Sequence, residues 1–258
     1  MGVAAGLELE TARELAAHCE RLGYASMWSN DHPMASGLET VATFAEASSL
    51  DVGVAVLALD RHSPQDIAAK IAEVGLDPRR LWVGIGAGFS ERPLAVAREG
   101  IEAMRAALPQ GTRVVLAAMG PKMCALAGAQ ADGAFLNWIT PEKAAWARER
   151  VHEGARDAAR DEPATIFGYV RVAVGEDARE RLLKEESFYR QLHQGYISHF
   201  ATLDREPGTV GVAEPSADAI AQALSAYEPA IDHIVVRALA SANKQALGAV
   251  AEAAAPAT

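Results

Sequence analysis

Short apolar runs alternate with amphipathic helical patterns along the whole chain, and this alternation limits the fold more than any other feature. The runs occupy residues 2–7, 24–29, 52–59, 81–87, 113–118, 133–137, 165–174 and 233–237. Residues 52–59 are mostly Val, Ala and Leu, too apolar for a strand with one face in water. Helix punctuation falls between the runs. Gly23 stops a helical pattern over 11–22, and Ser63-Pro64 starts another with a capping hydroxyl and a proline suited to the first turn. A further pattern over 92–108 is closed by Gly111, while Gly120-Pro121 and Thr140-Pro141-Glu142 open the next two. Eight buried-type strands, each followed by a helix, imply parallel pairing with both faces covered. The expected fold is therefore α/β, a closed (β/α)8 TIM-type barrel forming one domain over 1–258. Residues 176–227 contain no convincing strand, break near Pro207-Gly208 and Pro215-Ser216, and are expected to form a helical insertion between strands 7 and 8. The chain is expected to end in a frayed tail at 255–258. An open doubly wound sheet is the alternative; the count of eight and the glycines at several strand ends favour the barrel.

Charge and cysteine content narrow the function class. A formal net charge of −10 argues against nonspecific nucleic-acid binding, which needs a basic face. It leaves a phosphorylated ligand open, because a helix amino terminus binds an anion locally whatever the overall charge. Cys19 and Cys124 lie in separate helical patterns without a Cys-x-x-Cys pairing, so both are expected to be buried structural thiols. No apolar run reaches membrane-spanning length, and Met1-Gly2-Val3-Ala4-Ala5 lacks a basic leader head. A cytoplasmic enzyme acting on a small molecule fits, with neither nucleic acid nor membrane as partner. A homodimer is the expected assembly on frequency alone.

In a barrel of this kind the chemistry sits at the carboxyl ends of the strands. The second run stops at Asp31-His32-Pro33, where Pro33 keeps His32 out of the following helix. Asp31 and His32 are thus the first candidates for catalysis; the plainer alternative is a turn-capping Asp and an exposed His. The other strand ends carry Asp60-Arg61-His62, Gly86-Ala87-Gly88-Phe89-Ser90-Glu91, Met119-Gly120-Pro121-Lys122 and Asn137-Trp138. Gly86-Ala87-Gly88 lacks the third glycine of a dinucleotide fingerprint and marks either a close backbone approach, as to a flat ring, or a tight turn. Ala118-Met119-Gly120-Pro121-Lys122 ends a strand and starts a helix with free amides and a cation, which suits a phosphate; an ordinary helix start is the alternative. Trp28 and Trp138 are candidates for pocket walls, with a core role equally open to Trp28. His18, His152, His193, His199 and His233 have no partners at ligand spacing, and no metal site is expected. No Gly-x-Ser-x-Gly elbow is present.

In this order the segments resemble the bacterial luciferase-like superfamily, in its coenzyme F420-dependent oxidoreductase branch. The resemblance is carried by Gly23 to Trp28 with Asp31-His32-Pro33, by Leu81 to Gly88, and by Ala117 to Met123. Leu126-Ala127-Gly128, Ala131-Asp132-Gly133, Asn137-Trp138 and Thr140-Pro141-Glu142 complete it. It implies a TIM-type barrel that holds a deazaflavin at the strand carboxyl ends, with Asp31 and His32 beside the ring system. It also implies a nonproline cis peptide bulge behind the ring, within Ala55, Val56 and Leu57, and a phosphate tail near Gly120 to Met123. Gly86, Ala87, Gly88, Ala118, Met119, Pro121, Lys122, Asn137 and Trp138 complete the expected cofactor contacts. Sugar-phosphate dehydrogenases of the branch carry a glutamate where this chain has Phe89, which speaks against such a substrate. The resemblance thus implies hydride transfer between F420 and a small organic substrate, with His32 moving the proton and Asp31 orienting it. An FMN-dependent monooxygenase is the alternative on the same barrel. A noncatalytic cofactor-binding protein and a cofactor-free phosphosugar barrel are the others.

Overall fold

The computed structural model describes residues 1–256, so Ala257 and Thr258 of the expected tail lie outside the described residues. The strands are β1 (Gly2–Val3), β2 (Ser26–Ser29), β3 (Asp51–Ala58), β4 (Leu81–Gly86), β5 (Arg113–Ala118), β6 (Gly133–Asn137), β7 (Thr165–Val174), β8 (Val212–Glu214) and β9 (His233–Ala238). The helices are α1 (Leu9–Arg21), α2 (Gly37–Ala47), α3 (Pro64–Glu73), α4 (Pro93–Ala107), α5 (Pro121–Gln130), α6 (Pro141–Asp157), α7 (Ala178–Leu192), α8 (Gln194–Ala201), α9 (Ala217–Ser225) and α10 (Lys244–Ala253).

Strands β1 to β7 and β9 pair in parallel, and the β6–β7 pairing closes them into an eight-stranded barrel. The closed barrel is the expected one, and the open sheet is excluded. Two details differ from expectation. Strand β1 covers only Gly2–Val3, and the 176–227 region contains a strand after all, β8, paired to the end of β7 through Val172 and Val212. Three residues are too few to carry a period, so only the partner strand reveals β8.

Alternation along the strands sorts side chains between two cores. Val52, Val54, Val83, Ile85, Val114 and Leu116 pack outward against the helices. Trp28, Ala55, Val115, Phe135, Phe167, Tyr169 and Val235 pack inside the barrel. Aromatic rings fill the lumen: Trp28 lies 5.1 Å from both Phe135 and Phe167, and Trp82 lies 4.9 Å from Phe167. The indole has room because its neighbour in register, Gly53, has no side chain; any Cβ there would overlap the Trp28 ring. A third apolar cluster joins Trp138 to Leu182, Phe200, Leu203 and Val210, which anchors the α7–α8 segment over one side of the mouth.

Candidate active site

The mouth takes its shape from one extra residue in β3. Val54 pairs with Val83 and Leu57 with Ile85, so β3 spends three steps where β4 spends two. The Ala55–Val56 peptide is cis, inside the Ala55–Leu57 window expected of the bulge. The extra residue puts Ala55 and Val56 both on the lumen side and returns Leu57 to the outer core. Leu57, expected at the cofactor, therefore faces the helices instead. Gly84 accommodates the bulge, since a Cβ there would come 2.8 Å from Ala55 Cβ. At Gly86 a Cβ would meet Val56 Cγ2 at 3.3 Å. Gly88 adopts φ 62° over the Asp60 carboxylate, which also accepts the Phe89 N–H at 2.9 Å. The backbone at Gly86 and Gly88 thus approaches the protein's own bulge and Asp60 closely.

The bulge borders a cavity of about 200 Å³ at the strand carboxyl ends. Asn30 and Asp31 just after β2, Ala117 and Ala118 of β5 with Met119 after it, and Asn137 of β6 line it. Tyr169 and Arg171 of β7 and Arg237 of β9 form the opposite wall, and Tyr189 and Tyr196 reach over from α7 and α8. A larger groove between α1 and α10 lies on the outside of the barrel, away from every strand end.

Asp31 lines the cavity with its side chain only 6% exposed. Its carboxylate accepts from Gly37 N at 2.9 Å, Arg61 Nη2 at 2.8 Å and His62 Nε2 at 2.9 Å. The carboxylate can only accept, so Nε2 of His62 carries a proton and Nδ1 is the basic nitrogen of the neutral ring. Asp31 therefore positions His62, and the expected pairing with His32 is not made. His32 is tied into its own turn: it exchanges backbone bonds with Ala35, and its Nδ1 accepts from Met34 N at 3.2 Å.

Ala118 and Met119 line the cavity as expected. Helix α5 then starts at Pro121 with Gly120 as its cap, and no side chain bonds its first amides. Nothing lies within 4 Å of a Cβ built on Gly120, and Lys122 stands exposed beside it. Helices α4 and α7 also start without a side-chain cap, whereas Ser36, Ser63 and Thr140 cap the amides of α2, α3 and α6.

Asn137 accepts a hydrogen bond from Arg171 Nη1 and donates to Tyr196 Oη at 3.3 Å. Trp138 does not wall the cavity. It is 1% exposed, its backbone φ is 51°, and its ring is covered by Arg171, Tyr189 and Phe200. Its carbonyl bonds the buried His199 Nε2 at 2.7 Å, and burial lowers the pKa of that imidazole. Trp28 is likewise a core residue. Cys19 and Cys124 are buried free thiols, and burial pushes them up to about 11 and about 12. Sequence reasoning missed Tyr169, Arg171, Tyr189, Tyr196 and Arg237. The arginines did carry a signal, since a charge two residues after Tyr169 in an apolar run is out of place in a buried strand.

A family model for luciferase-like monooxygenases matches residues 89–230. Among solved structures, an F420-dependent secondary alcohol dehydrogenase in complex with an F420–acetone adduct superposes with TM-score 0.74 at 17% identity, covering 98% of both chains. The coenzyme F420 dependent tetrahydromethanopterin reductase from Methanopyrus kandleri gives 0.75 at 16% identity, covering 98% of this chain and 95% of that one. The oxygenating constituent of 3,6-diketocamphane monooxygenase from Pseudomonas putida, in complex with FMN, gives 0.64 at 13% identity, with 96% and 92% covered. At these identities the likeness is one of fold.

Proposed function

The chain belongs to the luciferase-like monooxygenase family, and from that membership we propose that it is an F420-dependent oxidoreductase acting on a small organic substrate. The observation that carries this reading is the mouth itself: a bulged β3 wall, small residues at Ala55, Ala117 and Ala118, and an open, uncapped α5 start beside them. Two F420-dependent neighbours that match nearly end to end agree with the deazaflavin reading, and FMN on the same barrel is the alternative.

The residues present fit such a group. Ala55 and Val56 would back the ring, Ala117 to Met119 would floor it, and the amides after Gly120 with Lys122 would take an anionic tail. When bound, the deazaflavin supplies a carbon centre that accepts or gives a hydride. The protein's part is to position and to manage one proton. His62, held by the near-buried Asp31 carboxylate, offers Nδ1 as a proton acceptor, and Arg61 holds Asp31 in place. Tyr189 and Tyr196 cover the β6–β7 side and limit water.

Titrating the purified protein side by side with F420 and FMN, by fluorescence and calorimetry, tests the reading. Micromolar F420 binding with FMN about tenfold weaker or more is the expected result. The opposite preference assigns the chain to flavin monooxygenase chemistry, and binding of neither removes the reading.

A further inference from the structure

Arg171 is a buried guanidinium without an acid. It is 2% exposed, and its partners are the Asn137 carbonyl oxygen, the Tyr169 backbone carbonyl at 3.3 Å and the face of Trp138 at 3.8 Å. All are neutral, so its charge is uncompensated; Nε is buried without a partner, and Nη2 makes no hydrogen bond among the described residues. Arg80, also without a carboxylate, is different: its Nε, Nη1 and Nη2 all donate to carbonyls around the end of α2, which explains it as a structural clamp.

Arg237 stands beside Arg171 in register on β9, and both line the cavity. It donates from Nη1 to Ala238 O at 2.6 Å and joins no ion pair among the described residues. On the same face of β7, Tyr169 Oη is buried with no hydrogen-bond partner among the described residues. Asp31, the acid that lines the cavity, is already neutralised by Arg61. Arg237 is half-buried, whereas burying the unpaired Arg171 cation and a lone hydroxyl is costly unless a ligand completes them.

We propose that Arg171, Arg237 and Tyr169 form an oxyanion subsite for a carboxylate-bearing substrate, across the cavity from the α5 amino terminus. Two adjacent guanidinium groups present planar donors to a planar carboxylate, and the rings of Tyr189, Tyr196 and Phe135 wall the space for a flat, apolar body. The subsite deepens the oxidoreductase reading, but its test does not depend on which cofactor binds.

Benzoate, benzamide and inorganic phosphate are titrated into cofactor-free protein and followed by NMR and calorimetry. Benzoate is expected to bind, with benzamide about tenfold to a hundredfold weaker, because only the charged partner completes the arginines. Arg171→Met and Arg237→Met each remove that preference; if Arg171→Met fails to fold by circular dichroism, Arg237→Met decides alone. Benzoate binding persists when F420 or FMN is saturating, which assigns the pair to substrate. Equal affinity for benzamide, unaffected variants, tighter binding of phosphate than benzoate, or displacement of benzoate by the cofactor would each overturn the proposal. A failed cofactor titration with intact benzoate selectivity leaves the subsite standing and removes only the coenzyme reading.

Discussion

Two histidines follow neighbouring strands at the mouth, and their hydrogen bonds separate them. His62 is held by a buried acid, whereas His32 spends Nδ1 on its own turn. His62→Ala is therefore expected to lower turnover about a hundredfold or more, the usual scale of general acid–base catalysis, while His32→Ala changes it only a few-fold. Steady-state rates with the cofactor that binds will separate them, and a reversed order would return the role to His32. At the opposite end of the barrel, His233 Nε2 lies 2.8 Å from Ser26 Oγ, which also accepts the Trp28 indole N–H. Burial depresses the His233 pKa from 6.5 to about 4. The unfolded chain then takes up a proton over that window that the folded chain refuses, so stability falls as pH drops from about 6.5 towards 4. His233→Gln is expected to flatten that part of the profile in urea midpoints at pH 7 and 4.5. Parallel losses in parent and variant would show that His233 is not responsible.

Helices α5 and α6 pack through glycines. A Cβ on Gly128 would overlap the Val151 carbonyl, and one on Gly154 the Ala125 carbonyl, so the contact is backbone to backbone. Gly128→Ala or Gly154→Ala is expected to cost at the upper end of about 1–3 kcal/mol, measured by urea unfolding, because neither carbonyl can move without its helix. Gly120→Ala makes a useful contrast. Its Cβ meets nothing and its φ is −100°, so stability is expected to stay within about 0.5 kcal/mol. Any loss of F420 affinity in that variant then reports on the ligand at the α5 amino end and not on the fold. Element boundaries follow the same logic. Ser63-Pro64 and Thr140-Pro141 are local signals and mark helix starts where the structure has them. Strand β8 has no local signal and exists because β7 offers it an edge.

For the molecule as a whole, a bound cofactor is expected to raise the melting temperature with the logarithm of its concentration above Kd, and an unchanged melting curve at saturating F420 would count against the coenzyme reading. The barrel was legible because hydrophobic period, glycine stops and proline starts are encoded within a few residues of where they act. Eight runs of buried character leave few ways to cover every face. Asp31, Ala118 and Met119 were legible as cavity residues for the same reason, since each ends a recognisable strand. Partnership was not legible. Asp31 meets His62 because β2 and β3 are neighbours in the barrel, although 31 residues separate the two in sequence. Arg171 meets Arg237 because the β7–β9 register puts them side by side, and the α7–α8 segment brings Tyr189 and Tyr196 over them. Chain-local preferences specify which residues reach the mouth of the barrel. Closure and register specify which of them touch, because those contacts depend on distances that no short stretch of chain contains.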